Sequence, residues 1–209
     1  VKSTAERQKL EGDADAAIET VRAFNDKLYN TRVLDPACGT GNFLYVSLEL
    51  MKRLEGEVLE ALADLGGQEA LRGLDRHEVD PHQFLGLELN ARARHIAELV
   101  LWIGFLQWHK RNRGELPGDP VLRDYGNIKQ GDAVLTWDGY PVPKIEGGNE
   151  TLPRARRPDW PEAEFIVGNP PFIAGQDFRK EFGDLYAEAL WKINPEISGG
   201  ADVVMFWWD

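Results

Sequence analysis

The stretch Arg32-Val33-Leu34-Asp35-Pro36-Ala37-Cys38-Gly39-Thr40-Gly41-Asn42-Phe43-Leu44 decides the fold. Residues 32–34 form a short β-prone run, and the turn over 36–41 opens a long helical pattern, so the segment reads as strand, turn, helix. Gly39 and Gly41 accept positive φ and let backbone N–H groups approach a ligand closely, as in a nucleotide-like site. The helix that follows, residues 43–65, carries Leu44, Leu48, Met51, Leu54 and Val58 at spacings of three or four and ends at Gly66-Gly67.

The same alternation runs through the chain. Residues 5–28 have helical periodicity, with Ala17, Val21, Phe24 and Leu28 on one stripe. A polar, turn-rich insertion over 66–82 precedes a second strand over 83–88, and Asn90 is placed to cap a helix over 90–110. That helix is apolar nearly all round, with Ile96, Leu99, Val100, Ile103 and Leu106 on one stripe and Trp102, Phe105 and Trp108 opposite, so it requires partners on two sides. After a polar loop over 111–127 come a short strand at Ile128-Lys129-Gln130 and a turn at Gly131-Asp132-Ala133. Residues 138–163, rich in Gly and Pro, read as an extended surface connection, and Phe165-Ile166-Val167 as a buried strand ending at Gly168. The expectation is one α/β domain over 1–209, a doubly wound and mainly parallel sheet, with ligands at the carboxyl ends of its strands. Asp35, Glu88, Asp132 and Asn169 all fall at such ends.

The residues restrict the ligand. A carboxylate at Asp35 repels a pyrophosphate and attracts an ammonium or sulfonium, and S-adenosylmethionine carries both cations and no phosphate. Phe43 and Leu44 stand where a dinucleotide fingerprint needs a third small residue, and no Lys-Ser/Thr pair follows Gly41, which excludes a phosphate-binding P-loop. Glu88 has a bidentate role open to it on two ribose hydroxyls; a solvated carboxylate near a helix start is the competing reading. It lies 53 residues (88 − 35) past Asp35, against ~20 past the glycines in a minimal unit, the difference being the insertion. Asp132 is placed to accept from a cofactor adenine amino group or to cap a turn.

Asn169-Pro170-Pro171-Phe172 has its own logic. Two prolines fix φ and remove two donors, which stiffens the loop and leaves carbonyls free. The Asn169 amide oxygen and the Pro170 carbonyl are both acceptors for one exocyclic NH₂, and Phe172 offers a ring face for a base.

Together these motifs resemble those of amino-group DNA methyltransferases acting on adenine N6, in the large bacterial enzymes of type IIL restriction-modification and related phage-defence systems. Residues 84–90, 97–108 and the Gly199-Gly200-Ala201-Asp202 stretch before an aromatic-rich end carry the likeness further, so that it covers roughly residues 20–209. The resemblance implies a Rossmann-like class I methyltransferase fold. It implies that S-adenosylmethionine is held by Asp35, Pro36, Ala37, Cys38, Gly39, Gly41, Asn42, Phe43, Glu88, Leu89, Asp132 and Ala133, with catalysis at Asn169, Pro170, Pro171 and Phe172. An Asn-Pro-Pro-aromatic loop also serves ribosomal RNA and glutamine methyltransferases. An RNA or protein-amide substrate, or a non-catalytic interaction module in a defence complex, are therefore the alternatives.

Composition fits a globular domain: 209 residues, 43% hydrophobic and 28% charged. No stretch has the length of a membrane span, residues 1–13 are too polar for a signal peptide, and a single cysteine suits a reducing cytoplasm. The net charge of −11 opposes duplex DNA binding by this segment. The expectation is a catalytic fragment that meets double-stranded DNA through segments outside it, an expectation shared by the apolar run Met205-Phe206-Trp207-Trp208 at the end. Cys38 is read as a packed residue rather than a nucleophile, and His77, His82, His95 and His109 lack metal-ligand spacing. Of two basic clusters, Lys110-Arg111-Asn112-Arg113 suits a helix end, whereas Arg154-Ala155-Arg156-Arg157 is the candidate for phosphate contact.

Overall fold

A computed structural model of the chain describes residues 1–71, 78–113, 126–138 and 154–207. The elements are α1 (Lys2–Leu10), α2 (Ala14–Asn30), β1 (Val33–Asp35), α3 (Asn42–Leu71), β2 (Phe84–Glu88), α4 (Ala91–Arg113), β3 (Ile128–Gln130), β4 (Thr136–Trp137), β5 (Ala155–Arg156), β6 (Phe165–Ile166), α5 (Gly175–Phe182) and α6 (Asp184–Ile193), with 3₁₀ turns at Pro81–Gln83 and Val203–Trp207. Four strands form a parallel sheet in the order β3-β2-β1-β6, and β4 pairs antiparallel with β5 in a separate ribbon. The chain winds outward from β1 to β3 and then returns to the other side of β1, the doubly wound α/β fold that the sequence implies.

The local chemistry explains most boundaries. Asn90 caps α4, its Oδ1 accepting from the N–H groups of Arg92 (2.9 Å) and Ala93 (3.2 Å). The expected single helix over 5–28 is two, because Gly12 at φ 87° breaks it and Asp13 starts α2 by accepting from Ala16 N–H at 3.0 Å. Gly67, with φ 58° and ψ −146°, interrupts α3 where the glycine pair predicts its end, and helical backbone resumes as far as Leu71. The insertion is therefore partly helical, and residues 72–77, with His77, lie outside the described residues.

Leu44, Leu48, Leu101, Phe84 and Ile128 are almost fully buried where α3 and α4 cover β1, β2 and β3. Truncating a leucine of this kind costs about 2–5 kcal/mol. Ala17, Val21, Val58 and Leu62 form a neighbouring core between α2 and α3, which α1 closes with Ala5. Lys52 of α3 is completely buried between Glu55 (2.7 Å) and Glu78 (2.6 Å), with its ammonium 4.0 Å from the Trp108 ring centroid. Glu55 also accepts from Val79 N–H at 2.7 Å, and His109 Nε2 lies 2.7 Å from Glu78. This network ties the entrance of β2 to both helices.

Three expectations are corrected. Phe165 and Ile166 are 57% and 60% exposed rather than buried, because among the described residues β6 bonds only to β1 and no helix covers it. On α4, Ala97, Leu101 and Phe105 face the core, whereas Ile96, Leu99 and Ile103 are exposed, so the helix is covered on one side only among the described residues. Within the expected connection over 138–163, Ala155–Arg156 is a strand, and residues 139–153 lie outside the described residues.

That strand belongs to a second core, built from Val134, Leu135, Trp137, Phe178, Leu190, Val203 and Phe206. Phe178 is its hub, in ring contact with Phe182, Tyr186, Trp191 and Phe206 at 4.9–6.2 Å between centroids. The 169–172 loop runs from the sheet into this core.

Candidate functional site

All four strands of the sheet are parallel, so their carboxyl ends lie along one edge. In spatial order these ends carry Asp132 two residues past β3, Glu88 at the end of β2, Asp35 at the end of β1 and Asn169 three residues past β6. Three interstrand steps of ~4.8 Å give an edge of roughly 14 Å. The reversal of winding falls between β1 and β6, the position where open α/β sheets leave a crevice.

Asp35 is 1% exposed, and its Oδ1 accepts from Ala37 N–H at 3.0 Å. Burial pushes its carboxyl up from 3.8 to about 6; the Ala37 donor pulls it down, and the negative charge of Glu88 adds to the rise. Pro36 beneath it is buried and Ala37 half-buried. Gly39 (φ 55°) and Gly41 (φ 85°) turn the chain, and a Cβ on Gly41 would lie 3.1 Å from Cα of Ala97, so this glycine also permits close approach to α4. Asn42 and Phe43 begin α3 with both side chains exposed.

Glu88 joins the first turn to the second. Its Oε2 accepts from Gly39 N–H at 2.8 Å and its Oε1 from Asn90 N–H at 2.7 Å, while Cys38 N–H donates to the Leu87 carbonyl at 3.1 Å. Leu89, beside it, is 54% exposed. Cys38 is buried against Gly86, where a Cβ would lie 2.8 Å from its Sγ. Burial, then the charges of Asp35 and Glu88, push this thiol up to about 12, which keeps it protonated and unreactive at neutral pH.

Asp132 is more heavily engaged than its sequence suggests. Oδ1 accepts from Val134 N–H (2.8 Å) and Leu135 N–H (3.1 Å), and Oδ2 accepts from the Tyr186 hydroxyl at 2.7 Å. The carbonyl of Ala133, a buried residue, accepts from Trp160 Nε1 at 2.7 Å. Neither Tyr186 nor Trp160 is singled out by the sequence. Each acts across 54 and 27 residues respectively, and an isolated aromatic carries no local signal of its partner.

The second motif abuts the first. A Cβ on Gly168 would lie 2.6 Å from Asp35 Oδ1 and 3.3 Å from its Cγ, so only glycine fits before Asn169 unless Asp35 moves. Val167 N–H donates to the Leu34 carbonyl at 2.9 Å on one side of the loop, and the Ile173 carbonyl accepts from Val203 N–H at 3.0 Å on the other. The loop is thus anchored at both ends. Asn169, Pro171 and Phe172 are exposed, Phe172 by 67%, and Pro170 is half-buried.

The basic cluster over 154–157 is largely occupied: Arg156 lies 3.7 Å from Asp138 and 3.5 Å from Asp159, and Arg157 bonds Glu196. Lys110 and Arg111 are exposed at the end of α4, and the Arg113 side chain lies outside the described residues, as does Trp208. No described helix is long and apolar enough to cross a membrane. Three carboxylates along β1, β2 and β3 make the edge suitable for a cation, and a stiff acceptor loop stands next to it.

DNA methyltransferase A of Bacillus subtilis (strain 168) is 28% identical over 156 residues, covering 72% of this chain and 16% of that protein. The solved structure of the type IIL restriction-modification enzyme MmeI in complex with DNA matches in fold, with a TM-score of 0.66 and 24% identity over 91% of this chain and 23% of that one. The chain therefore spans less than a quarter of the length of either relative. Residues 9–208, nearly all of the chain, match the family described as MmeI, DNA-methyltransferase domain, and the chain belongs to that family.

Proposed function

We propose that this domain transfers a methyl group from S-adenosylmethionine to the N6 amino group of an adenine in DNA. The observation that carries the reading is the contact between the two motifs: Gly168 lies against Asp35, so the acceptor loop at 169–172 adjoins the acidic edge of β1 and β2. The donor set suits the cofactor. Asp35 and Glu88 attract its cationic centres, the Gly39 to Gly41 turn leaves room for close approach, and Glu88 and Asp132 offer acceptors for ribose and adenine. When bound, S-adenosylmethionine supplies an activated methyl group on a sulfonium.

The residues of this chain do the rest by alignment. The adenine N6 lone pair is delocalised into the ring and is a poor nucleophile. Asn169 Oδ1 and the Pro170 carbonyl, accepting from its two hydrogens, favour a pyramidal nitrogen whose lone pair points outward. In a duplex N6 is locked in the base stack, so the base is extruded at a cost of a few kcal/mol, part of which Phe172 recovers by stacking on its exposed ring. Gly168 leaves no carboxylate before Asn169, so the proton departs to water after methyl transfer. The net charge of −11 supports a reading in which duplex binding falls to segments outside this domain.

The test uses radiolabelled methyl transfer by the full-length protein into DNA, RNA and protein, with nucleoside analysis of the product. N6-methyladenine in DNA is expected, and Asn169→Ala should abolish it while cofactor binding persists. Label in RNA or protein alone, or undiminished activity of Asn169→Ala, would overturn the reading.

A further inference from the structure

Tyr186 lies in the second core and yet reaches the sheet edge. Its hydroxyl donates to Asp132 Oδ2 at 2.7 Å, and its ring packs on Phe182 (5.1 Å between centroids) and Phe178 (6.0 Å). Asp132 Oδ1 is already held by two backbone donors, Val134 and Leu135. A carboxylate offers roughly four lone-pair sites, so three donors leave about one, on Oδ2. Rotation about the Cβ–Cγ bond moves both oxygens together, so the hydroxyl on Oδ2 adds a third restraint to the two on Oδ1. It also takes one lone pair of Oδ2 and so sets the direction of the one that remains.

We infer that Tyr186 is a positioning residue for the cofactor's adenine: it orients Asp132 so that the free Oδ2 lone pair meets the 6-amino hydrogen. The inference rests on the reading of Asp132 as an adenine acceptor and deepens it. It also links two parts of the site, because α6 belongs to the same core that anchors Ile173 at the end of the acceptor loop.

The experiment measures, by calorimetry on the full chain, binding of S-adenosylhomocysteine and of its analogue lacking the 6-amino group. Tyr186→Phe keeps both ring contacts and removes only the hydroxyl. It should weaken S-adenosylhomocysteine about tenfold and leave the analogue unchanged, and in an Asp132→Asn background it should add nothing. Equal losses for both ligands would mean a purely structural role and overturn the inference. So would unchanged binding in Tyr186→Phe alongside weakened binding in Asp132→Asn, with the reading of Asp132 intact. Unchanged binding in Asp132→Asn would instead overturn the reading of Asp132, and the inference with it. Tyr186→Met removes the same donor with a different packing demand on Phe178 and Phe182, and the same contrast between the two ligands is expected of it, so the test does not depend on Tyr186→Phe folding.

Discussion

Lowering the pH should weaken cofactor binding through one buried carboxylate, Asp35. Its carboxyl titrates at about 6 in the free protein, because burial penalises the charge and Glu88 adds repulsion. On the proposed reading, the sulfonium of S-adenosylmethionine favours the ionised form, so protonation and binding compete. With a titration point of about 6, only about one molecule in eleven is ionised at about pH 5, against nearly all at about pH 7.5; the apparent Kd should therefore rise about tenfold over that interval. Calorimetric titration with S-adenosylmethionine across the range checks this. Asp35→Asn should bind weakly throughout and show no such step. A flat Kd in the unmodified protein, or the same step in the Asn variant, would refute the reasoning. The linkage to stability has the opposite sign to that of a salt-bridged Asp. The folded state holds the proton between about pH 4 and 6 after the unfolded chain has released it, so this contribution is present below the unfolded value and is lost as pH rises through 6. The penalty above that window is about 3 kcal/mol, so Asp35→Asn should raise unfolding stability at neutral pH by up to that amount.

Gly168→Ser would put a Cβ 2.6 Å from Asp35 Oδ1, and it should reduce methyl transfer by displacing either the 169–172 loop or Asp35; full activity would deny the tight junction of the motifs. Gly41→Ala combines φ 85° with a 3.1 Å approach to Ala97 and should cost about 1–3 kcal/mol in denaturant unfolding. Lys52→Met should destabilise by about 3–5 kcal/mol in the same assay, because Glu55 would keep a buried charge without the ammonium that pairs with it.

Tyr186, Gly168 and Lys52 also mark what a one-dimensional reading misses. Each matters through an atom that the sequence does not place nearby: Asp132 Oδ2, Asp35 Oδ1 and Glu78 Oε1. Periodicity says which face of a helix is apolar and leaves open what covers it. On α4 two apolar faces read as needing partners, and among the described residues the one with Ala97, Leu101 and Phe105 packs on the sheet while Ile96, Leu99 and Ile103 stay exposed. Phe165 and Ile166 read as a buried strand for the same reason: burial depends on neighbours, and among the described residues β6 has one neighbouring strand. The helices α5 and α6 and their aromatic core are held by contacts among residues that, singly, signal nothing.

What the sequence by itself determined is the local chemistry. The strand, glycine turn and helix over 32–65, the Asn90 cap and the stiff Asn169-Pro170-Pro171-Phe172 loop depend on backbone freedom, missing donors and short spacings, all of which are written within a few residues. The tertiary structure alone decided the order β3-β2-β1-β6, and through it the meeting of Gly168 with Asp35 and of Tyr186 with Asp132. Strand order follows from the sum of many weak packing contacts between distant segments, and no short stretch of residues contains that sum.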